Sequence, residues 1–165
     1  MIVIHADITT LDVDAIVNAA HRGLSGGGGV DGAIHRAAGP ELKPAAMRLA
    51  PCDPGEAVIT PGFDLRARFV IHTVGPIWHG GTHGEPELLR RAYESTFRVA
   101  ESESRIRSIA FPAISTGVYG YPKREAAAIA VDVMRRHDHE FERVIACVFD
   151  DESFEIYRAA ERRTG

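Results

Sequence analysis

The chain has 165 residues, of which 45% are hydrophobic and 25% charged, and its formal net charge is −4. This length and composition suit a soluble globular protein, so we expect one cytoplasmic, monomeric domain over residues 1–165. The acidic balance argues against broad binding to nucleic acid, and no apolar run is long enough to span a membrane. The first residues carry no basic leader, and two cysteines are too few for a disulfide framework.

Short apolar runs rich in Ile and Val predict buried strands. In chain order these runs lie at residues 1–5, 15–17, 57–60, 69–74, 106–111 and 144–149. Segments with helical apolar spacing or an Ala-rich composition lie between and after them, at 30–38, 87–103, 124–136 and 155–163. The glycine-rich segment 78–86 is predicted to be a loop. Strands that alternate with helices predict an α/β fold, a largely parallel sheet with helices on both faces.

Four consecutive glycines, Gly26 to Gly29, stand between the second predicted strand and the next helix. Such a run loses much backbone entropy on ordering, and it is favoured where the main chain approaches a ligand closely or adopts positive φ. Just before a helix, its N–H groups can converge on an anion. A flexible linker is the alternative, and it is disfavoured because apolar elements flank the run closely on both sides.

The same segment matches the GxGxxG spacing of dinucleotide-binding folds at Gly27, Gly29 and Gly32. Those folds place the glycines directly at the strand end, whereas here eight residues intervene between residue 17 and Gly26. A nicotinamide-dependent oxidoreductase is therefore disfavoured. A P-loop is excluded because no Gly-Lys-Ser/Thr occurs in the chain.

A second candidate loop, residues 112–122, follows a predicted strand and precedes a predicted helix. Ser115, Thr116 and Gly117 offer hydroxyl and backbone donors to a phosphate, and Tyr119 offers an aromatic wall. Alone this loop could be an ordinary connection. Two glycine-bearing loops that join a strand to a helix in one small sheet instead predict a cleft that holds a diphosphate from both sides.

Five motifs, in this order along the chain, resemble the macrodomain family and specifically its MacroD-type branch. They are ADIT at 6–9, DAIVNAA at 14–20, GGGGVDGAIHRAAGP at 26–40, VIHTVGP at 70–76 and ISTGVYGYP at 114–122. The glycine motif is the most specific of them, and the resemblance covers the chain from about residue 1 to about residue 160. It implies a three-layer α/β/α fold around a mixed central sheet, and binding of ADP-ribose.

The resemblance also implies an activity, the hydrolysis of mono-ADP-ribose from Glu and Asp side chains of proteins, without a metal or a cofactor. Deacetylation of O-acetyl-ADP-ribose is the related chemistry. The implied partners are ADP-ribose and mono-ADP-ribosylated proteins. Gly80 and Gly81 disfavour a helical presentation of His79 with His83, and the pair of His137 and His139 lies at a predicted helix end beside acids. We expect no third ligand near either pair and therefore no bound metal.

The resemblance implies a role for each matching position. Asp7 and Ile8 would contact the adenine through the carboxylate and the backbone. The Phe149 ring would stack on it, with Phe154 as the alternative. Asn18 would support the pocket by the distal ribose. The two loops around the diphosphate would be formed by Gly28, Gly29, Val30, Ser115, Thr116, Gly117, Val118 and Tyr119.

Asp31, His35 and His21 would form the catalytic end of the site. An acid at a helix start is also explained by the helix dipole, but a carboxylate that faces the distal ribose can deprotonate a water molecule. His35 lies four residues after Asp31, on the same helix face. The family usually has a second Asn where this chain has His21. This departure affects hydrolysis more than binding, so an ADP-ribose reader without catalysis stays open as the alternative.

Overall fold

The computed structural model of the protein describes residues 1–164 and contains one sheet of six strands in the order β1-β6-β5-β2-β4-β3. Four neighbouring pairs are parallel, and β3 runs antiparallel to β4. Five strands therefore bring their carboxyl ends to the same edge of the sheet. The strands are β1 (Ile2–His5), β2 (Ala15–Ala19), β3 (Ala57–Pro61), β4 (Phe69–Thr73), β5 (Ser108–Phe111) and β6 (Arg143–Val148).

Helices cover both faces of this sheet. They are α1 (Gly29–Ala38), α2 (Leu42–Met47), α3 (Glu85–Glu101), α4 (Lys123–His137) and α5 (Asp151–Thr164). On β2, Ala15 and Val17 pack into the core under α3, α4 and α5, and Ile16 packs into the core under α1 and α2. The sheet is thus the middle of three layers, and the expected α/β/α fold with a mixed sheet is confirmed. Within residues 1–164, every helix is too short or too polar to cross a membrane.

The predicted strands and helices are all present, but several begin or end a few residues from the predicted bounds, and one short helix was not predicted. Strand β5 begins at Ser108 and not at residue 106, and β2 extends to Ala19 and not only to residue 17. The six-residue helix α2 was not predicted, because it buries only Leu42 and Ala46 and so shows no full apolar period. Helix α3 begins at Glu85, inside the segment predicted as a loop. Pro86 lies in its first turn, where a backbone N–H has no partner within the helix and its absence costs nothing. Helix α5 begins at Asp151 because the Asp150 carboxylate accepts a hydrogen bond from the Ser153 N–H, at 2.7 Å.

The core between α3 and the sheet contains an aromatic cluster centred on Phe97. This ring is fully buried, with its centroid 4.9 Å from that of Phe111 and 5.8 Å from that of Phe141. We expect Phe97→Ala to lower the free energy of unfolding by about 3–5 kcal/mol, since it removes a buried ring and leaves a cavity. Phe149→Ala is the matched control, because Phe149 is 80% exposed and its loss should change stability by no more than about 0.5 kcal/mol. Urea unfolding followed by circular dichroism measures both, and equal losses would contradict this view of the core.

Candidate active site

A cleft lies at the edge of the sheet where the parallel strands end. It consists of two adjoining cavities of about 430 and 500 Å³. The two cavities share wall residues from the glycine run (Gly29, Val30) and from the 112–122 loop (Ala113, Thr116, Gly117), so they form one continuous cleft. The rest of the wall comes from α1, from Lys123 at the start of α4, and from residues at or after the ends of β1, β2, β4 and β6. This is where ligands bind in open α/β sheets.

One wall of the cleft is the glycine run, which leads directly into the N-terminus of α1. Gly29 has φ +57°, a left-handed conformation that favours glycine, and a Cβ on Gly28 or Gly29 would meet no atom within 4 Å. Gly32 is glycine for another reason, because a Cβ there would lie 2.4 Å from the Gly27 carbonyl oxygen. The run is therefore a folded part of the site, and the N-terminus of α1 offers unpaired backbone N–H groups beside the cleft.

The opposite wall is the loop of residues 112–122. Two backbone hydrogen bonds fold it back on itself, from the Tyr121 N–H to the Ser115 carbonyl (2.9 Å) and from the Gly120 N–H to the Gly117 carbonyl (3.0 Å). Ser115 adopts φ +67°, and its buried hydroxyl has no hydrogen-bond partner among residues 1–164. Val118 is fully exposed at the rim. The loop thus brings polar groups and an apolar tip to the side facing the glycine run.

A third loop, residues 78–84, supports the 112–122 loop from behind. The Trp78 N–H donates to the Tyr119 carbonyl at 2.8 Å, and the rings of Trp78 and Tyr121 lie 4.6 Å apart. This loop is held in turn by the buried carboxylate of Glu85, which accepts hydrogen bonds from the backbone N–H groups of His79 (2.7 Å), Gly81 (2.9 Å) and His83 (2.6 Å). Sequence reasoning missed Glu85. The available signal was an acid at the start of a helix directly after a glycine-rich loop.

The half of the cleft next to β1 and β6 contains the residues predicted to contact adenine. Asp7 Oδ1 accepts hydrogen bonds from the N–H (3.0 Å) and the hydroxyl (2.7 Å) of Thr9, and Oδ2 has no hydrogen bond within the described residues. Ile8 lines the same half, as does Phe149 directly after β6. Cys147 also lines it, and burial raises the pKa of its thiol to about 11, so the thiol stays protonated. This half is a slot in which apolar side chains lie beside the available Asp7 oxygen, and the charged residues Arg36, Lys123 and Asp150 also line it.

The other half of the cleft contains Asp31, in the first turn of α1 and only 6% exposed. Its Oδ1 accepts a hydrogen bond from the Asn18 amide (2.9 Å) and lies 3.4 Å from His35 Nε2. Its Oδ2 has no hydrogen bond to the part of the chain that the structure describes, and a Cβ on Gly27 would lie 3.3 Å from it. Tyr119 stands nearby, and burial together with the charge of Asp31 raises the pKa of its phenol. Asp31 is thus anchored at one oxygen and available at the other.

This chain is similar to known proteins both in sequence and in fold. Residues 17–130 match the Macro domain family. The chain belongs to the macrodomain family. A protein of Enterobacter cloacae named O-acetyl-ADP-ribose deacetylase is 53% identical over 163 residues, which cover 94% of this chain and 90% of that protein.

Solved macrodomain structures share the fold over nearly the whole chain. The Oceanobacillus iheyensis macrodomain with ADP superposes with a TM-score of 0.92 at 42% identity, and the match covers 98% of this chain and 90% of that one. The Trypanosoma brucei macrodomain in complex with ADP-ribose gives a TM-score of 0.86 at 38% identity, covering 99% and 69%. The resemblance predicted from the sequence is therefore confirmed.

Two of the predicted site residues of this macrodomain lie behind the cleft wall. Asn18 is fully buried at the end of β2, and His35 lies under the glycine run, its ring 3.5 Å from the position of a Cβ on Gly26. Neither lines the cleft, and both contact Asp31. The sequence could not distinguish residues that line the cleft from residues behind its wall, because a motif does not reveal which side chains face the ligand.

His21 lines the cleft, but backbone groups of Gly23 and Gly26 engage both of its ring nitrogens. Its Nδ1 accepts a hydrogen bond from the Gly23 N–H (3.1 Å), so the proton is on Nε2, which donates to the Gly26 carbonyl (2.7 Å). The hydroxyl of Ser25 also lies 3.2 Å from Nε2. The ring therefore fixes the turn that opens the glycine run.

Sequence reasoning also missed a buried histidine, His72 on β4. Its Nδ1 lies 3.1 Å from the Asn18 amide nitrogen and its Nε2 lies 2.9 Å from the Thr60 hydroxyl. Burial, helped by the charge of His35, lowers the pKa of His72 to about 3. The signal in the sequence was a histidine inside an apolar strand, between Ile71 and Thr73.

A group of metal-ligating side chains in this macrodomain lies away from the cleft. Within residues 1–164, ligand atoms of Glu101, His137 and Glu140 come within 4.8 Å of one another, where α3 and α4 end. His137 also lies 2.7 Å from Glu94, so its ring pairs with several carboxylates. We interpret the group as an ion-pair cluster that joins the two helices.

The contacts of Glu85 predict a pH effect on stability. Burial acts to raise the pKa of Glu85, but the N–H donors of Gly81, His79 and His83 outweigh it and lower the pKa from 4.5 to about 2. A lowered carboxyl pKa gives stability that is present above the unfolded-state value and is lost as the pH falls through the folded-state value. We therefore expect Glu85→Gln to lower the free energy of unfolding at neutral pH and to flatten its decline between pH 4.5 and 2.

Urea titrations at several pH values, followed by circular dichroism, measure this effect. Glu87→Gln is the matched control, because Glu87 lies in the same first turn of α3 but is exposed. If both variants show the same pH dependence, Glu85 does not anchor the 78–84 loop through its charge.

Proposed function

We propose that this macrodomain binds ADP-ribose and hydrolyses the ester that joins the distal ribose to a carboxylic acid. The acid is either a Glu or Asp side chain of a mono-ADP-ribosylated protein or the acetate of O-acetyl-ADP-ribose. The observation that carries this proposal is the position of Asp31. It lies in the half of the cleft away from β1 and β6, with its Oδ1 held by Asn18 and its Oδ2 available.

The shape and chemistry of the cleft support ADP-ribose as the ligand. The slot with Asp7 and Phe149 suits an adenine, since a ring can stack there and a carboxylate can accept from the amino group. The two facing loops suit the diphosphate, because backbone N–H groups at a helix N-terminus bind anions. The Oceanobacillus iheyensis structure was solved with ADP and the Trypanosoma brucei structure in complex with ADP-ribose, which agrees with this assignment.

Asp31 supplies the base that an ester hydrolysis needs. Its Oδ2 would accept a proton from a water molecule as the water oxygen attacks the ester carbonyl carbon. The bond from that carbon to the ribose oxygen then breaks, and the ribose oxygen takes the proton back from Asp31. The products are the free carboxylic acid and ADP-ribose. The same steps apply to a protein ester and to an acetyl ester, and the Enterobacter cloacae relative is named for the second.

Replacement of Asp31 tests this chemistry. In Asp31→Asn the side-chain oxygen can still accept from Asn18, so the wall keeps its shape while the base is lost. We expect turnover to fall at least about 100-fold, while ADP-ribose affinity changes little. Release of label from a Glu-linked mono-ADP-ribosylated protein and of acetate from O-acetyl-ADP-ribose gives the rates, and calorimetry gives the affinity. A variant that retains near wild-type turnover would exclude Asp31 as the base.

The adenine assignment is tested separately by Phe149. We expect Phe149→Ala to weaken ADP-ribose binding by about 1–3 kcal/mol, roughly 5- to 150-fold, because a stacking ring is lost. Phe149→Trp should bind within the wild-type range, since it keeps an aromatic face. Calorimetric titration with ADP-ribose measures both variants. Unchanged affinity in Phe149→Ala would mean that the adenine lies elsewhere in the cleft.

A reader that binds ADP-ribose without hydrolysis is the second candidate, and His21 is the observation that favours it. Both ring nitrogens of His21 are engaged by backbone groups of Gly23 and Gly26, so this side chain has no free polar atom for the ligand. The two functions separate in one assay of the wild-type protein with both esters. Tight binding of ADP-ribose without release of label or acetate would establish the reader.

A further inference from the structure

We propose that His72 is a positioning residue for the hydrolysis: its Nδ1 accepts a hydrogen bond from the Asn18 amide and thereby holds that amide in the orientation that anchors Asp31. This inference rests on the proposed function, because the reaction is the one assigned to Asp31. His72 would not touch the ligand, since it is fully buried and lines neither half of the cleft.

The sheet brings the required side chains together on one face. Asn18 on β2 and His72 on β4 are register partners in parallel strands. Two residues earlier, Ile16 and Val70 pack into the core under α1, so Asn18 and His72 point to the same side, where α1 carries Asp31. Thr60 on β3 completes a continuous chain of contacts, from Thr60 to His72 (2.9 Å), to Asn18 (3.1 Å) and to Asp31 (2.9 Å).

The direction of every hydrogen bond in this series, from Thr60 to Asp31, follows from the charge of Asp31. An ionised carboxylate only accepts, so the NH₂ of Asn18 must face it. The same nitrogen lies against His72 Nδ1, which must then accept and carry no proton. The proton is therefore on Nε2, and it is donated to the Thr60 hydroxyl oxygen.

Asn18 needs this help because its carbonyl oxygen contributes nothing to its orientation. Oδ1 of Asn18 is buried and has no hydrogen-bond partner among residues 1–164. The amide is held only through its NH₂, by Asp31 on one side and His72 on the other. Without an acceptor at His72 the amide can rotate, and Asp31 then loses the partner that fixes its Oδ1. A reacting group displaced by as little as about 1 Å can cost about 100-fold in rate.

A protonated His72 would disrupt the same contact. Its Nδ1–H would face the Asn18 NH₂, and relief would require the amide to turn its carbonyl toward Asp31, where two oxygens repel. The fully buried position keeps the ring neutral, and burial lowers the pKa of His72 to about 3. The ring is thus a constant acceptor over the pH range in which an enzyme of this kind works.

A matched pair of substitutions separates the two ring nitrogens. His72→Asn places a side-chain oxygen near the former Nδ1, and His72→Gln reaches instead to the former Nε2. We expect His72→Gln to lower kcat about 10- to 100-fold with unchanged KM and unchanged affinity for ADP-ribose. His72→Asn should retain most of the wild-type kcat, because its oxygen can still accept from Asn18, although the hydrogen bond to Thr60 is lost. Thr60→Val should also lower kcat, because Nε2–H loses its acceptor.

Hydrolysis rates, calorimetry with ADP-ribose and melting temperature are measured for all three variants. The proposal fails if His72→Asn and His72→Gln lose turnover equally, which would indicate loss of packing alone. It also fails if affinity for ADP-ribose falls in step with kcat.

A second measurement needs no turnover. In the wild-type protein with ¹⁵N-labelled histidine, a long-range ¹H–¹⁵N correlation spectrum should show His72 protonated at Nε2 and unchanged between about pH 5 and 8. A proton on Nδ1 would overturn the proposal outright. If the wild type hydrolyses neither ester while His72 shows the expected tautomer, the hydrolase proposal fails and the orientation of Asn18 by His72 stands.

Discussion

The position of β2 in the sheet is the constraint on which the site depends. β2 lies between β5 and β4 and runs parallel to both, so the three strands end at the same edge. The segment after β2 leads to the glycine run at this edge, and the 112–122 loop follows β5 beside it, which places the two loops face to face. Asn18 lies within β2, so the sheet fixes its backbone. Its amide donates a hydrogen bond to Asp31 and so fixes that carboxylate at the start of α1. The antiparallel β3 supplies no cleft residue among those described, but it supplies Thr60.

The site departs from local conformational preference where the cleft requires it. Gly29 and Ser115 adopt positive φ on the two facing loops, and the buried Ser115 hydroxyl and Asn18 carbonyl have no partner in the described chain. Strain and unpaired buried groups cost stability, and they cluster at functional sites. Exceptions also occur elsewhere, since Leu24 and Phe63 adopt positive φ and Arg135 Nε is buried without a hydrogen-bond partner within residues 1–164. The exception that points to a ligand is the unpaired hydroxyl of Ser115, because Ser115 lines the cleft.

How much the sequence predicts depends on the range of the interaction. The strands and the long helices are predictable because their apolar patterns are local, and the glycine run is predictable because four adjacent glycines have few other uses. The contact between His72 and Asn18 is not predictable in this way. It depends on the register of β2 against β4, which joins residues 54 positions apart. Glu85 was missed for a related reason, since its three partners are backbone groups that no side-chain pattern reveals.

The two walls of the cleft are held by separate sets of contacts, which meet at the end of the cleft beside Asp31. The glycine run is tied to the sheet through Asp31, Asn18 and His72, and the 112–122 loop is tied to α3 through Trp78 and Glu85. Tyr119 and Asp31 come from different walls, and burial with the Asp31 charge raises the pKa of the Tyr119 phenol. The phenol therefore keeps its proton and stays a donor, while Asp31 offers an acceptor. A sugar hydroxyl or a water molecule both donates and accepts, so this pair suits a ligand that ends in ribose more than one that ends in a charged group.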